Sequence, residues 1–256
     1  MEKQVPEIVE PEISEEPTLS SLEPVACLNC GHESAGDFCN MCGQAADVER
    51  YSLSSFLREL YNNLRKIEIS TTFATAIELL RRPGDFVKEY LAGKRVGYIN
   101  PIKFYFYAMI ADVLVRGLFL WLTGDQAFAS PLTGNTMYQI EGLLSTIFWG
   151  LLWKVFYRSS KFNVIEFAVC AVYFEAETDL FATTLMVITA PLRNSMPYIP
   201  TVLTSVDLLL TAAYGIYFAR QIFEEPLPKT IIKQTMLMIL FIILLVTTLF
   251  VPNQLH

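Results

Sequence analysis

From Asn100 onward the chain alternates long apolar runs with short polar stretches. Five runs, about 101–122, 139–157, 162–189, 200–219 and 232–251, approach the ~20 residues that a helix needs to cross a bilayer. Asn100-Pro101 suits the start of the first, as cap and first-turn proline. The last is free of charge from Gln234 onward. The second is the weakest, because Glu141 and Lys154 trim its apolar core; without it the count drops to four. Ahead of these runs the pattern changes to helical stripes. Leu53, Phe56, Leu57, Leu60, Tyr61 and Leu64 repeat after Ser52, and Phe73, Ile77 and Leu80 form a second stripe that ends at Pro83-Gly84. "DFVKEYLAG" reads as a third, short helix from Asp85 to Gly93. The predicted fold is an all-α integral membrane protein of about five transmembrane helices over 100–252, preceded by juxtamembrane amphipathic helices over 50–97.

Composition sharpens this picture in two ways. The mean hydropathy is +0.38 and 53% of residues are hydrophobic, above the ~45–50% of soluble domains. The net charge of -7 is mostly local. Residues 1–24 hold Glu2, Glu7, Glu10, Glu12, Glu15, Glu16 and Glu23 against Lys3 alone, with four prolines and no aromatic residue. Such a segment is expected to be a disordered acidic tail. It has no basic start followed by an apolar run, so no cleavable signal is expected. The basic residues of the later loops alternate: Lys154, Arg158 and Lys161 in one, Arg220, Lys229 and Lys233 in another, none at 123–138. Counted against five spans, this predicts a cytosolic N-terminus and a C-terminus on the other side.

One segment carries recognisable chemistry. "CLNCGHESAGDFCNMCGQ" places Cys27, Cys30, Cys39 and Cys42 in two Cys-x-x-Cys-Gly knuckles. A tight turn lets both thiolates of a knuckle reach one ion, and the glycine after each pair accepts a positive φ. Four thiolates suit a closed tetrahedral structural zinc site, one ion per chain, in a small ribbon over 25–46. A redox dithiol would need a βαβ context, and disulfides an oxidising compartment. On the cytosolic side the thiols stay reduced. A ribbon of this size folds with its metal and has no room for a catalytic pocket. His32 and Cys170 read as bystanders.

"RRPGDFVKEYLAGKRVGYINPIKFY", Arg81 to Tyr105, together with the ribbon, resembles domain of unknown function 3667. Members of that family are similar in opening with a "CxxCG…FCxxCGQ" ribbon, as here at Cys27–Gln44. The likeness covers about residues 25–190 and implies a multi-pass protein of the bacterial cytoplasmic (inner) membrane, with no known activity. The family commonly carries a Glu-His pair near "NVIEFAVCAVYFEAE". Here Phe167 follows Glu166, and no histidine lies between His32 and His256.

Two groups of charged residues stand near or inside the apolar runs. Arg81, Arg82, Lys88, Lys94, Arg95 and Lys103 outnumber Asp85 and Glu89 and would attract anionic lipid headgroups, or else form a solvated face that sets topology. Asp112 and Arg116 in the first run, Glu175, Glu177 and Asp179 in the third and Asp207 in the fourth are candidates for an intramembrane polar cluster, or for polar glue between helices. Arg116 is the expected counter-charge of Asp179 or Asp207, in competition with Asp112. Glu166 reads instead as a capping partner of Asn163.

Two functions fit. The first is a binding or scaffold protein whose ribbon and amphipathic helices recruit a cytosolic protein to the lipid bilayer. The second is a transporter or channel component that uses the acidic cluster. Nucleic acid is not an expected partner. The absence of a histidine from the apolar runs speaks against a Ser-His enzyme or a His-ligated catalytic metal.

Overall fold

The structure, a computed structural model, describes residues 24–46, 48, 69–124, 136–193 and 199–250. The chain forms two units, 1–48 and 49–256. In the first, β1 (Val25–Ala26) pairs antiparallel with β2 (Glu33–Ser34), and Phe38 forms a bridge to Ala45. The second is helical. Among the described residues it contains α1 (Ile69–Arg81), α2 (Pro83–Leu91), α3 (Pro101–Thr123), α4 (Thr136–Phe156), α5 (Val164–Arg193), α6 (Ile199–Phe223) and α7 (Leu227–Phe250). The stripe predicted over 53–64 and nearly all of the acidic tail lie outside the described residues.

Local chemistry accounts for the helix starts. Asn100 caps α3 by accepting the N–H of Ile102 at 3.0 Å, with Pro101 in the first turn. Asn163 and Glu166 form a reciprocal box: Asn163 Oδ1 accepts the Glu166 N–H at 2.9 Å, and Glu166 Oε2 accepts the Asn163 N–H at 2.7 Å. Gly124 ends α3 with φ 67°, its N–H on the carbonyl of Leu120.

α5 is the centre of the helical unit. It packs against α3, α4 and α6, and also touches α1 and α2. Its first half supplies Phe167, Val169, Cys170, Ala171, Tyr173, Phe174 and Ala176 to the core. Gly150 of α4 lets that helix approach closely, since a Cβ there would stand 3.5 Å from Ala168 Cα. Aromatic rings fill the rest: Trp153 stacks on Phe218 at 5.3 Å, and Phe174 on Tyr214 at 5.7 Å.

The turn between α1 and α2 is an elbow docked on α6. Pro83 has no N–H, and the next two donors turn outward to one side chain: Gln221 Oε1 accepts from Gly84 at 2.9 Å and Asp85 at 3.4 Å. Tyr217 and Tyr214 donate their hydroxyls to the last carbonyls of α1, Arg81 at 2.6 Å and Leu79 at 3.3 Å. Downstream, the loop is tied by Thr75 Oγ1, which accepts the Ile99 N–H, and by the Tyr173 hydroxyl, which donates to the Ile99 carbonyl at 2.6 Å; both bonds are buried. Tyr173→Phe should cost about 1–3 kcal/mol in thermal unfolding of the full chain, because it leaves a buried carbonyl unpaired.

Five spans were expected, and the structure corrects this. The five apolar runs do form helices at nearly the expected positions. Among the described residues, however, two are long and apolar enough to cross a membrane: α3, and Val202–Phe223 within α6. An apolar run reads alike whether it faces lipid or a protein core. α5 uses its run for the core and carries Glu166, Glu175, Glu177 and Asp179 besides. α4 buries Trp149 and Trp153 against it and carries Lys154 in its last turn. α7 carries Lys229 and Lys233 in its first turns, and its side chains are described only as far as Ile243. The alternating N-in, C-out arrangement was counted against five crossings, which the two candidate spans do not supply.

Candidate metal centre

Each knuckle of the ribbon is a self-contained turn. Gly31 and Gly43 have φ of 75° and 73°, and their N–H groups donate to the carbonyls of Cys27 and Cys39, both at 2.8 Å. A side chain at either glycine would be strained, which is why the residue after each Cys-x-x-Cys is glycine. Each turn is closed on its outer side in the same way: Cys27 N–H donates to the His32 carbonyl at 2.9 Å, and Cys39 N–H to that of Gln44 at 2.7 Å. The ribbon is therefore a repeat of one motif, with the β1–β2 pair beside the first copy and the Phe38–Ala45 bridge beside the second.

The repeat brings the four thiols together. Cys27 Sγ lies 3.6 Å from Cys42 Sγ, Cys30 Sγ lies 3.6 Å from Cys39 Sγ, and all four atoms fall within 4.8 Å of one another. Ligands at ~2.3 Å from a tetrahedral ion would stand about 3.8 Å apart. The set is thus the right size for a metal ion and too open for disulfides, whose sulfurs lie ~2.05 Å apart; all four cysteines are free. Backbone donors act unevenly on the thiols. The N–H groups of Cys30 and then Asn29 hold the Cys27 thiol down at about 7, and those of Cys42 and Met41 lower Cys39. At Cys30 the His32 N–H is outweighed by burial and the neighbouring thiols, which push the thiol up to about 12. Four cysteines can bind a metal ion here. Cys39 is the most buried of them; Cys170, in the core of the helical unit, is far too buried to join any exposed chemistry.

The basic residues proposed for lipid headgroups are spread over several environments. Arg81 is exposed. Arg82 bridges Glu78 and Glu89, and Lys94 holds the second oxygen of Glu89 at 2.9 Å. Glu89 is accordingly held below the usual carboxylate range, first by the Lys94 hydrogen bond and then by Arg82, which together outweigh its partial desolvation. Lys88 bonds Asp85 at 3.0 Å and Glu224 at 2.7 Å. Arg95 lies over the Tyr90 ring at 5.9 Å, and Lys103 is buried.

The acidic candidates gather around α5. Arg116 Nε donates to both oxygens of Asp112, at 2.9 and 2.7 Å, and Thr183 of α5 donates to Asp112 Oδ1 at 2.9 Å. Asp112, the intrahelical competitor, therefore takes the guanidinium's Nε. Arg116, Asp112 and Asp207 all act electrostatically on Asp179, and Asp179 on Glu175. Glu177 is buried on another face, toward Tyr214. A double-mutant cycle of Asp112→Asn with Arg116→Met should show coupling of about 0.5–3 kcal/mol in thermal unfolding.

Reading the sequence missed Gln221, Tyr217 and Tyr214, the residues that hold the elbow. Their partners lie at sequence separations of 137, 136 and 135, beyond any local pattern. It also missed the exposed apolar residues of the ribbon, Leu28 and Met41, although their place between ligand cysteines was visible.

No curated protein and no solved structure matches the chain. The likeness expected over 25–190 is found over a shorter stretch that leaves the four thiols outside. Residues 70–111, which contain the elbow, the loop tied to Tyr173 and the first half of α3, match the family described as "Protein of unknown function (DUF3667)".

Proposed function

We propose that this protein is a docking protein at a membrane, in which one zinc ion folds the ribbon and the folded ribbon captures a cytosolic protein. One observation carries this reading: Val25, Leu28, Phe38 and Met41 are each more than half exposed. Leu28 and Met41 stand between the ligand cysteines, where a clip with no partner would carry polar residues. Apolar side chains on a metal-rigidified knob lose little entropy on binding, so they suit a docking patch. Zinc is the ion that a closed all-thiolate set favours. The helical unit anchors the chain through α3 and the apolar length of α6, in the inner membrane of a bacterium with the ribbon on the reducing, cytosolic side.

The test compares the full chain, purified with its bound proteins, with a Leu28→Ser/Met41→Ser variant that keeps all four cysteines. Both should contain zinc at one ion per chain, and the variant should lose the cytosolic protein. Absence of zinc, or capture that survives both the variant and chelation, would overturn the reading. A second reading rests on the grouping of Asp112, Arg116, Asp179 and Asp207, which suits a component of a cation transporter. In that case Asp179→Asn would abolish ion flux into vesicles and leave docking intact.

A further inference from the structure

α1 is turned inside out relative to a surface helix of a soluble protein. Among its described side chains the exposed ones are Ser70, Phe73, Ala74, Ile77, Leu80 and Arg81, which fall on one face at helical spacing. Phe73 is 67% exposed, Ile77 47% and Leu80 56%. The inner side is taken by Thr75 and Leu79. Thr75 is buried and holds the Ile99 N–H, and Glu78 pairs with Arg82. A helix that presents an apolar stripe outward, as well as burying Leu79 within, is matched to an apolar neighbour on its outer side.

Two further observations say which neighbour. The stripe ends in Arg81, exposed on the same face, which gives it a cation at one end and none along its length. That is the arrangement of a helix lying in a bilayer interface, with its apolar side in the acyl boundary and a long basic side chain reaching back to the headgroups. The helix that carries the stripe is also tied to α6, one of the two helices able to cross a membrane. The last turn of α1 is bonded to Tyr214 and Tyr217, and Tyr217 is itself 41% exposed, an aromatic placed as interfacial aromatics are.

We infer that the Phe73–Ile77–Leu80 face of α1 is a lipid-contact surface, immersed in the interface of an anionic bilayer with Arg81 at its headgroups. This rests on the membrane-associated reading above. It makes the elbow a monotopic foot beside α6.

The test places a photoreactive benzoylphenylalanine at Phe73 in one full-length chain and at Leu114, on the exposed side of α3, in another. Each is reconstituted into vesicles of phosphatidylcholine with or without phosphatidylglycerol, irradiated and analysed by mass. Both positions should give lipid adducts. At position 73 the yield should rise with phosphatidylglycerol, and Arg81→Gln should reduce that preference about five-fold, as expected for one cation worth ~1 kcal/mol near an anionic surface. Lipid adducts at 114 with only protein adducts at 73, whether to another part of the same chain or to a second copy, would overturn the inference and leave membrane association standing. Absence of lipid adducts at both positions would sink the two together.

Discussion

Replacing Cys39 with serine should unfold residues 24–46 and leave the helical unit as it is. Cys39 is the most buried of the four thiols, and its loss opens the tetrahedral set on the side of the second knuckle. A ribbon whose regular structure amounts to one two-residue strand pair and one bridge has little else to hold it. The free energy of metal binding is then its folding free energy. Limited proteolysis should cut the variant within 24–46 at the rate seen for the chelator-treated wild type, while 69–124 and 136–193 stay protected. A Cys39→Ser protein that keeps both its metal and its protease resistance would show that the ribbon does not depend on this ligand. The sign of the pH effect follows from the same chemistry. Ligation needs thiolates and releases protons, so acid should displace the metal and unfold the ribbon, and neutral or alkaline pH should not.

Gly84→Ala should destabilise the helical unit by about 3 kcal/mol or more, the upper end for overpacking a close contact. A Cβ at Gly84 would lie 2.5 Å from the Ile222 backbone nitrogen and 2.8 Å from the Gln221 carbonyl carbon, closer still to Gln221 Cβ. Backbone on the facing helix cannot rotate away as a side chain could. To relieve the clash, α2 must withdraw from α6, and the Gln221 bonds to Gly84 and Asp85 go with it. Gly117 provides the contrast. It lies inside α3 with nothing within 4 Å of its would-be Cβ, so Gly117→Ala should stabilise by about 0.5–1 kcal/mol through helix propensity. Thermal unfolding in the same detergent should show shifts of opposite sign. Equal shifts would mean that the elbow is not clamped on α6.

What could be read in advance was what neighbours in sequence decide. The knuckles were legible because two ligands and a glycine within five residues define a turn on their own. The start of α3 was legible because Asn100 bonds two residues ahead, and the Asn163–Glu166 box because it spans three. Orientation was not. Phe73, Ile77 and Leu80 form the stripe that periodicity predicts, yet they face outward, because Thr75 and Leu79 take the inner side. Hydropathy likewise could not tell α5, whose run forms the protein core, from α3, whose run is largely uncovered. Lys103, counted among surface cations, proves buried. Each of these outcomes depends on a contact with a distant element, which a local pattern does not contain.

The clamp on the elbow also sets a schedule for biosynthesis. Gly84 leaves the ribosome long before Gln221, its acceptor 137 residues later. At ~5–20 residues per second that is a wait of roughly 7–30 s. During it the donors of Gly84 and Asp85 lack their acceptor. The 70–111 segment is thus made early and completed late. A nascent chain arrested before residue 221 should hold it in a protease-sensitive state, and one extended past α6 should protect it in a single step.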